Sequence, residues 1–367
     1  MSTSVLAAVM TAPHAPVEIR EFAEPDLPAG SALLRTRLAE VCGTDVHLWH
    51  GRLAGVPYPI IPGHVTVGTL DRLRGSVVDT HGRPLAEGDR VAFFDVHRTC
   101  GRCLACTAHR TPTRCAARRV YGITDPASEG LYGGWAQKVY LEPGVVIAKL
   151  PDRVSFEAFI GGGCGLQTSV HIIERARLTL GDTSVVQGAG AVGLSAAALA
   201  RRSGAGRVIV IGGPANRLDL ARRMGADEVI GLDAATPAER LARVHDLTGG
   251  SGADVVIEAA GSPRAFEEGL RLVRDGGAYV VAGHYTNTGD STINAHEHIN
   301  RKHLDIRGCW GSDVRHFLGA IRALERYGDE AAWHLIGEKT FGLRDVNDAL
   351  AAAESMRVTK ALIDPWV

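Results

Sequence analysis

The sequence predicts an α/β protein in two parts, a β-rich unit and a doubly wound parallel sheet inserted into it. Three observations lead there. At 367 residues the chain is longer than one hydrophobic core usually serves. Roughly the first 150 residues read as short strands cut by Pro and Gly, with no long helical period. From about Thr183 onward, apolar strand-like runs alternate with helical stretches, as expected where helices cover both faces of a sheet.

Ser31–Leu38 and Arg90–Phe94 are typical of the β-rich part. In the second part, strands are expected at Ser184–Gln187, Arg207–Ile211, Glu228–Ile230, Asp254–Glu258 and Ala278–Ala282. Between them, Val192–Arg202, Asn216–Met224, Pro237–Leu247 and Pro263–Val273 carry helical spacing. After Gly308 come a helix at His316–Tyr327 and a mixed tail to Val367. That tail cannot bury a core alone, so it is expected to return to the first unit. The expected divisions are 1–158, 159–312 and 313–367, with a cysteine lobe at 98–116.

Composition removes several function classes. Hydrophobic residues at 45% and charged residues at 22% fit a globular chain. A net charge of -1 and the lack of a basic tract argue against nucleic-acid or membrane-surface partners. Met1-Ser2-Thr3-Ser4-Val5 has no basic flank leading into an apolar run, and Ala196–Ala200 stops at Arg201-Arg202. A cytoplasmic location is the expectation, and there the seven cysteines suit metal binding better than disulfides.

Gly188-Ala189-Gly190-Ala191-Val192-Gly193 is a GxGxxG run between an expected strand and an expected helix. In that context Gly188 makes the tight turn and Gly190 lets the backbone approach a pyrophosphate. Gly193 allows close helix–strand packing, and the helix N-terminus faces the anion. Where an NAD-binding unit usually carries Asp or Glu, this chain has Gly212. Arg217 is a candidate for a 2′-phosphate, and Asn216 offers neutral hydrogen bonds to a ribose. NAD and NADP both remain open, with NAD preferred.

Cys100, Cys103, Cys106 and Cys115 place four thiols within sixteen residues, which suits a closed structural zinc site. Arg98, Arg102, Arg110 and Arg114 are positioned to offset its negative charge. A second set is Cys42-Gly43-Thr44-Asp45, Gly63-His64 and Gly163-Cys164-Gly165. Two Cys and one His make a recognised catalytic zinc set, although spacing alone does not unite these three positions.

Taken in order, these motifs resemble the zinc-containing medium-chain alcohol dehydrogenase family over essentially the whole chain. The resemblance implies a GroES-like catalytic domain interrupted by a Rossmann domain. It implies a catalytic zinc on Cys42, His64 and Cys164 and a structural zinc on Cys100, Cys103, Cys106 and Cys115. It also implies that Asp45 orients the histidine ligand. Thr44 matches the hydroxyl that contacts the substrate oxygen, and His47 the group that passes the proton onward. Zinc would act as a Lewis acid on the alcohol, with hydride passing from the alcohol carbon to the nicotinamide. Gly283 joins the cofactor-binding set.

Trp135 and Trp310 are expected along the substrate pocket with His284, and Val96 or His97 close by. These aromatics favour a secondary, cyclic or polyhydroxylated alcohol, though each also fits interface packing. Two departures stand out. The family usually has Glu after the histidine of the Gly-His pair, where it approaches or binds the metal in some members; here the residue is Val65. The last cysteine spacing is also one residue longer than usual. The alternatives are a zinc-type reductase of an activated double bond, or a non-catalytic dinucleotide-binding protein on the same scaffold. His296-Glu297-His298 with His303 is read as solvated loop, not as a metal site. A homodimer or homotetramer is expected.

Overall fold

The computed structural model describes residues 4–109, 111–328 and 330–367, and they divide into two compact units. One comprises 4–163, 313–328 and 334–367; the other comprises 164–312 with 330–333.

The first unit is built on a seven-stranded sheet. Its order runs Gly337–Gly342, Lys360–Asp364, Ser31–Val41, Thr66–Arg74, Arg90–Phe93 and Ile147–Lys149, and Lys138–Leu141 also pairs with Ser31–Val41. Ser31–Val41 is the axis of this sheet. Arg35 and Arg37 face outward while Leu34, Thr36, Leu38 and Glu40 are buried, the period-two pattern of a strand with one face on a core. Lys360–Asp364 pairs antiparallel with it, placing Ala361 opposite Val41 and Ile363 opposite Ala39. The expected return of the tail is thus a strand in the central sheet. Met10, Leu48, Ile60, Trp135, Val346 and Ile363 share one core cluster there.

The second unit holds a six-stranded sheet, every neighbouring pair parallel. Its order is Glu228–Gly231, Arg207–Gly212, Thr183–Gln187, Ala253–Glu258, Val273–Val281, Asp305–Gly308. The helices Ala191–Arg202, Ala215–Met224, Pro237–Leu247 and Pro263–Leu272 alternate with these strands, as the sequence predicts. Val185, Ile209, Val256, Leu270 and Tyr279 lie in the core. The strand opened by Val273 starts five residues earlier than the expected Ala278, and Asp305–Gly308 forms an edge the sequence pattern does not reveal.

Four helices escape the sequence reading: Gly43–Trp49, the one-turn Leu104–Thr107, Phe156–Ala176 and Val346–Glu354. Phe156–Ala176 contains Gly161-Gly162-Gly163, a run that argues against helix on propensity, and the backbone does break at Gly163 (φ 48°, ψ -142°). The expected helix at His316–Tyr327 begins at Val314, capped by Asp313. No helix among the described residues is long and apolar enough to cross a membrane.

The glycine run is fixed by sterics. A Cβ on Gly188 (φ +111°) would lie 2.8 Å from the Ala259 carbonyl oxygen, and one on Gly193 would collide with the Gly188 carbonyl. Gly190 caps the Ala191–Arg202 helix with open space around its Cα. Gly193→Ala is therefore expected to destabilise the protein by about 1–3 kcal/mol, the usual cost of overpacking, as read by urea unfolding.

Candidate functional site

The Gly43–Trp49 helix begins where the axial strand ends, and Cys42 caps it. The Cys42 Sγ accepts the Thr44 N–H at 3.2 Å, while Asp45 Oδ2 accepts the Cys42 N–H at 2.8 Å. A sulfur at a helix N-terminus is in a position that favours the thiolate. His64 enters from the turn at Gly63, whose positive φ (90°) and contact with Trp135 leave no room for a side chain. Its Nε2 lies 3.8 Å from Cys42 Sγ and 3.7 Å from Glu40 Oε1. Cys164 follows Gly163 directly. One ligand atom each from Glu40, Cys42, His64 and Cys164 all fall within 4.8 Å of one another.

This group is almost entirely buried. Burial, reinforced by the Cys42 charge, pushes the Asp45 carboxyl well above its ordinary value. For His64, burial alone would lower the pKa. The charge and hydrogen bond of Cys42, with Asp45 and Glu40, instead hold it well above 6.5. Two thiols, an imidazole and a carboxylate in a water-poor pocket form the donor set that a borderline-soft dication satisfies. The residues fit zinc.

Asp45, expected to orient the histidine ligand, hydrogen-bonds the Cys42 backbone and acts on His64 through its charge. Its Oδ2 orients Cys42, while its Oδ1 and the Nδ1 of His64 both lack a hydrogen-bond partner. The reason is local: at the third helical position the carboxylate reaches back to the cap. Thr44 and His47 are half-buried on the same short helix. Burial, then the positive charge of Arg52, lowers the His47 pKa below 6.5, so its neutral base form persists further into the acid range.

Cys100, Cys103, Cys106 and Cys115 bring their sulfurs within 4.8 Å of each other. Cys115 accepts the Cys100 N–H at 3.4 Å after a 3₁₀ turn at Pro112–Arg114, so the loop absorbs its additional residue. Backbone N–H donors from Arg102 and Cys103 lower the Cys100 thiol to about 6. Arg98 is not a charge-offsetting neighbour in the expected sense, because it is committed to Glu142 at 2.6 Å. Arg110 lies outside the described residues. Among the described residues, His296, Glu297, His298 and His303 join no metal-competent group.

The aromatic pocket expectation needs correction. Trp135 is fully buried in the core, its indole N–H donating to the Glu40 carbonyl at 3.0 Å, so it buttresses the site from behind. His97 is buried between Glu142 (2.7 Å) and Asp125 (3.0 Å), with both ring nitrogens committed to carboxylates. Val96 pairs with Val120 in a two-stranded sheet. Trp310 stacks on Tyr285 with 5.4 Å between ring centroids and donates to its carbonyl, while half-buried His284 contacts Thr288 at 3.1 Å.

At the nucleotide turn, a Cβ on Gly212 would sit 2.8 Å from that of Ala189, so packing against the GxGxxG turn excludes a carboxylate there. Asn216 and Arg217 open the Ala215–Met224 helix, with Asn216 exposed and Arg217 buried. Glu258 is a residue the sequence reading missed. Fully buried at a strand end, it accepts N–H groups from Ala260 (2.8 Å), Gly261 (2.6 Å) and Gly283 (3.1 Å), fixing the loop that carries Gly283.

Residues 28–152 match the alcohol dehydrogenase GroES-like domain and 191–326 the zinc-binding dehydrogenase domain. The chain is 34% identical to 5-exo-hydroxycamphor dehydrogenase of Pseudomonas putida, covering 92% of this chain and 93% of that one. It is 32% identical to erythritol/L-threitol dehydrogenase of Mycolicibacterium smegmatis, with 84% and 85% covered. The crystal structure of an alcohol dehydrogenase from Thermotoga maritima superposes with a TM-score of 0.94 at 32% identity, covering 99% of both chains.

Cys103→Ser should lower bound zinc by one ion per chain while leaving the Cys42–His64 group loaded. Elemental analysis of the purified variant measures both.

Proposed function

The chain belongs to the zinc-containing medium-chain alcohol dehydrogenase family, and on that premise we propose that it interconverts a secondary alcohol, cyclic or polyhydroxylated, and its ketone with NAD. The observation that carries this reading is the buried convergence of Cys42, His64 and Cys164 with a carboxylate beside them. Cys42, His64 and Cys164 would hold a zinc that would supply Lewis-acid polarisation of the substrate hydroxyl, and a bound nicotinamide would supply the hydride acceptor.

The residues of the chain handle position and proton. Thr44, held at the N-terminus of its helix, offers a hydroxyl that accepts the substrate proton as it donates its own. His47, one turn along, is the base that takes it onward, and its lowered pKa keeps it competent near neutrality. Asp45 holds the Cys42 backbone so that the thiolate keeps its direction. The preference for cyclic or polyhydroxylated alcohols is supported by the relatives, named for hydroxycamphor and for erythritol and L-threitol. NAD is preferred to NADP because Arg217, only 7% exposed, offers little of its guanidinium to a 2′-phosphate. Assembly as a homodimer or homotetramer is part of the proposal, and the exposed edge strand Asp305–Gly308 is a surface for it.

The test follows absorbance at 340 nm with NAD+ and NADP+ separately, against cyclic secondary alcohols, polyols and short primary alcohols. Turnover with NAD+ that chelation abolishes is expected. Failure to bind either dinucleotide would overturn the reading. Thr44→Val should reduce kcat about 10²–10³-fold with dinucleotide affinity unchanged, and Thr44→Ser should keep most of it. Arg52→Gln removes a positive charge beside His47, so imidazolium forms more readily. The acid limb of the kcat/KM profile then moves to higher pH, and a shift downward contradicts the assignment.

A further inference from the structure

Glu40 belongs to none of the motifs, yet it is the most constrained carboxylate of the first unit. Its side chain is fully buried. Its N–H donates to the Val65 carbonyl at 3.2 Å, and its carbonyl accepts the Trp135 indole, so the backbone is held from both sides. Oε2 takes Lys360 Nζ at 2.5 Å, and Lys360, itself 2% exposed, also donates to the Ile160 carbonyl at 3.1 Å. Oε1 faces His64 Nε2 at 3.7 Å, within the group that includes the Cys42 and Cys164 sulfurs.

A buried ion pair is a poor stabiliser, since desolvation of both charges offsets their attraction and an apolar pair often serves as well. Its presence here calls for a task. The backbone even yields to it: Gly163 takes φ +48°, and a Cβ there would collide with the Glu40 carboxylate and come 2.5 Å from Lys360 Nζ. The residue after His64 is the buried, apolar Val65, and its carbonyl is the one that Glu40 bonds. The two positions are neighbours across paired strands.

We propose that Glu40 is the carboxylate ligand of the metal centre, delivered from the axial strand and not from the position after the histidine. This rests on the reading that Cys42, His64 and Cys164 hold zinc. Oε1 supplies the fourth donor in the resting enzyme and yields that place to the substrate hydroxyl. Lys360 holds Oε2 throughout and compensates the carboxylate charge when Oε1 withdraws. The charges balance: two thiolates and a carboxylate against a dication and an ammonium.

Zinc-loaded wild type and Glu40→Gln are titrated with a chromogenic chelator, with zinc release resolved into its two populations. The more buried zinc of the variant is expected to leave at about 10–100-fold lower chelator concentration, while the four-cysteine zinc is unchanged. Cobalt substituted into the buried site should show an altered d–d spectrum in the variant. Equal retention and an identical cobalt spectrum overturn the proposal and leave the dehydrogenase reading intact; a wild type that binds only the four-cysteine zinc removes that reading itself. Should Glu40→Gln not fold, the zinc-loaded wild-type crystal structure decides. A Glu40 Oε1–zinc distance of about 2.0–2.2 Å carries the assignment, and a water in the fourth place with Glu40 withdrawn overturns it.

Discussion

The buried pair of Glu40 and Lys360 joins segments 320 residues apart in the chain. Lys360 opens the strand that pairs with Ser31–Val41, so it reaches Glu40 only once the tail has returned to the central sheet. Gly163 then needs a left-handed conformation to pass the pair. Three segments that a linear reading treats separately are therefore settled together. Misplacing any one leaves a buried charge without a partner, which costs several kcal/mol.

The surroundings follow from the same constraint. Burial of the cluster raises the Asp45 pKa, with the Cys42 charge adding to it; at His64 the charges of Cys42, Asp45 and Glu40 overcome burial and raise it as well. Trp135 seals the site from behind and holds the Glu40 carbonyl, and Gly63 gives the indole its space. Position comes from strands and glycine turns, which have little freedom. The Thr44 hydroxyl and the His47 imidazole, proposed as the proton carriers, ride by contrast on a short helix capped by Cys42.

Much of this was legible in the residues. The alternating strands and helices after Thr183 predicted the parallel sheet because buried parallel strands have to be continuously apolar. Both cysteine sets were visible, since ligand chemistry demands particular residue types. The Phe156–Ala176 helical run was not, because its glycines oppose helix and only packing around Gly163 explains them. Trp135 misled, as a large aromatic reads equally as pocket wall or core; only its indole bond to Glu40 decides. Glu40 did leave a trace: it shares the parity of Leu34, Thr36 and Leu38, not that of the outward Arg35 and Arg37. An acid on the inward face of a strand that ends in a cysteine is a signal worth reading.

The two metal-competent groups obey different rules of sequence. In the cysteine lobe all four donors lie within sixteen residues, and the turns between them set the geometry, so the motif is written in consecutive positions. The buried group draws on a strand end, a glycine turn and a helical run, and is written in the fold. In such a site a donor must be near its partners in space, not in sequence. Because residues 40 and 65 are hydrogen-bonded neighbours, a carboxylate on either strand approaches the same cluster with the same charge. What ties it to position 40 is the lysine: Lys360 sits on the strand that flanks Ser31–Val41 on the side away from Thr66–Arg74, within reach of Glu40. Val65 is buried and apolar, and on the proposed assignment the acid expected in its place stands on the adjoining strand.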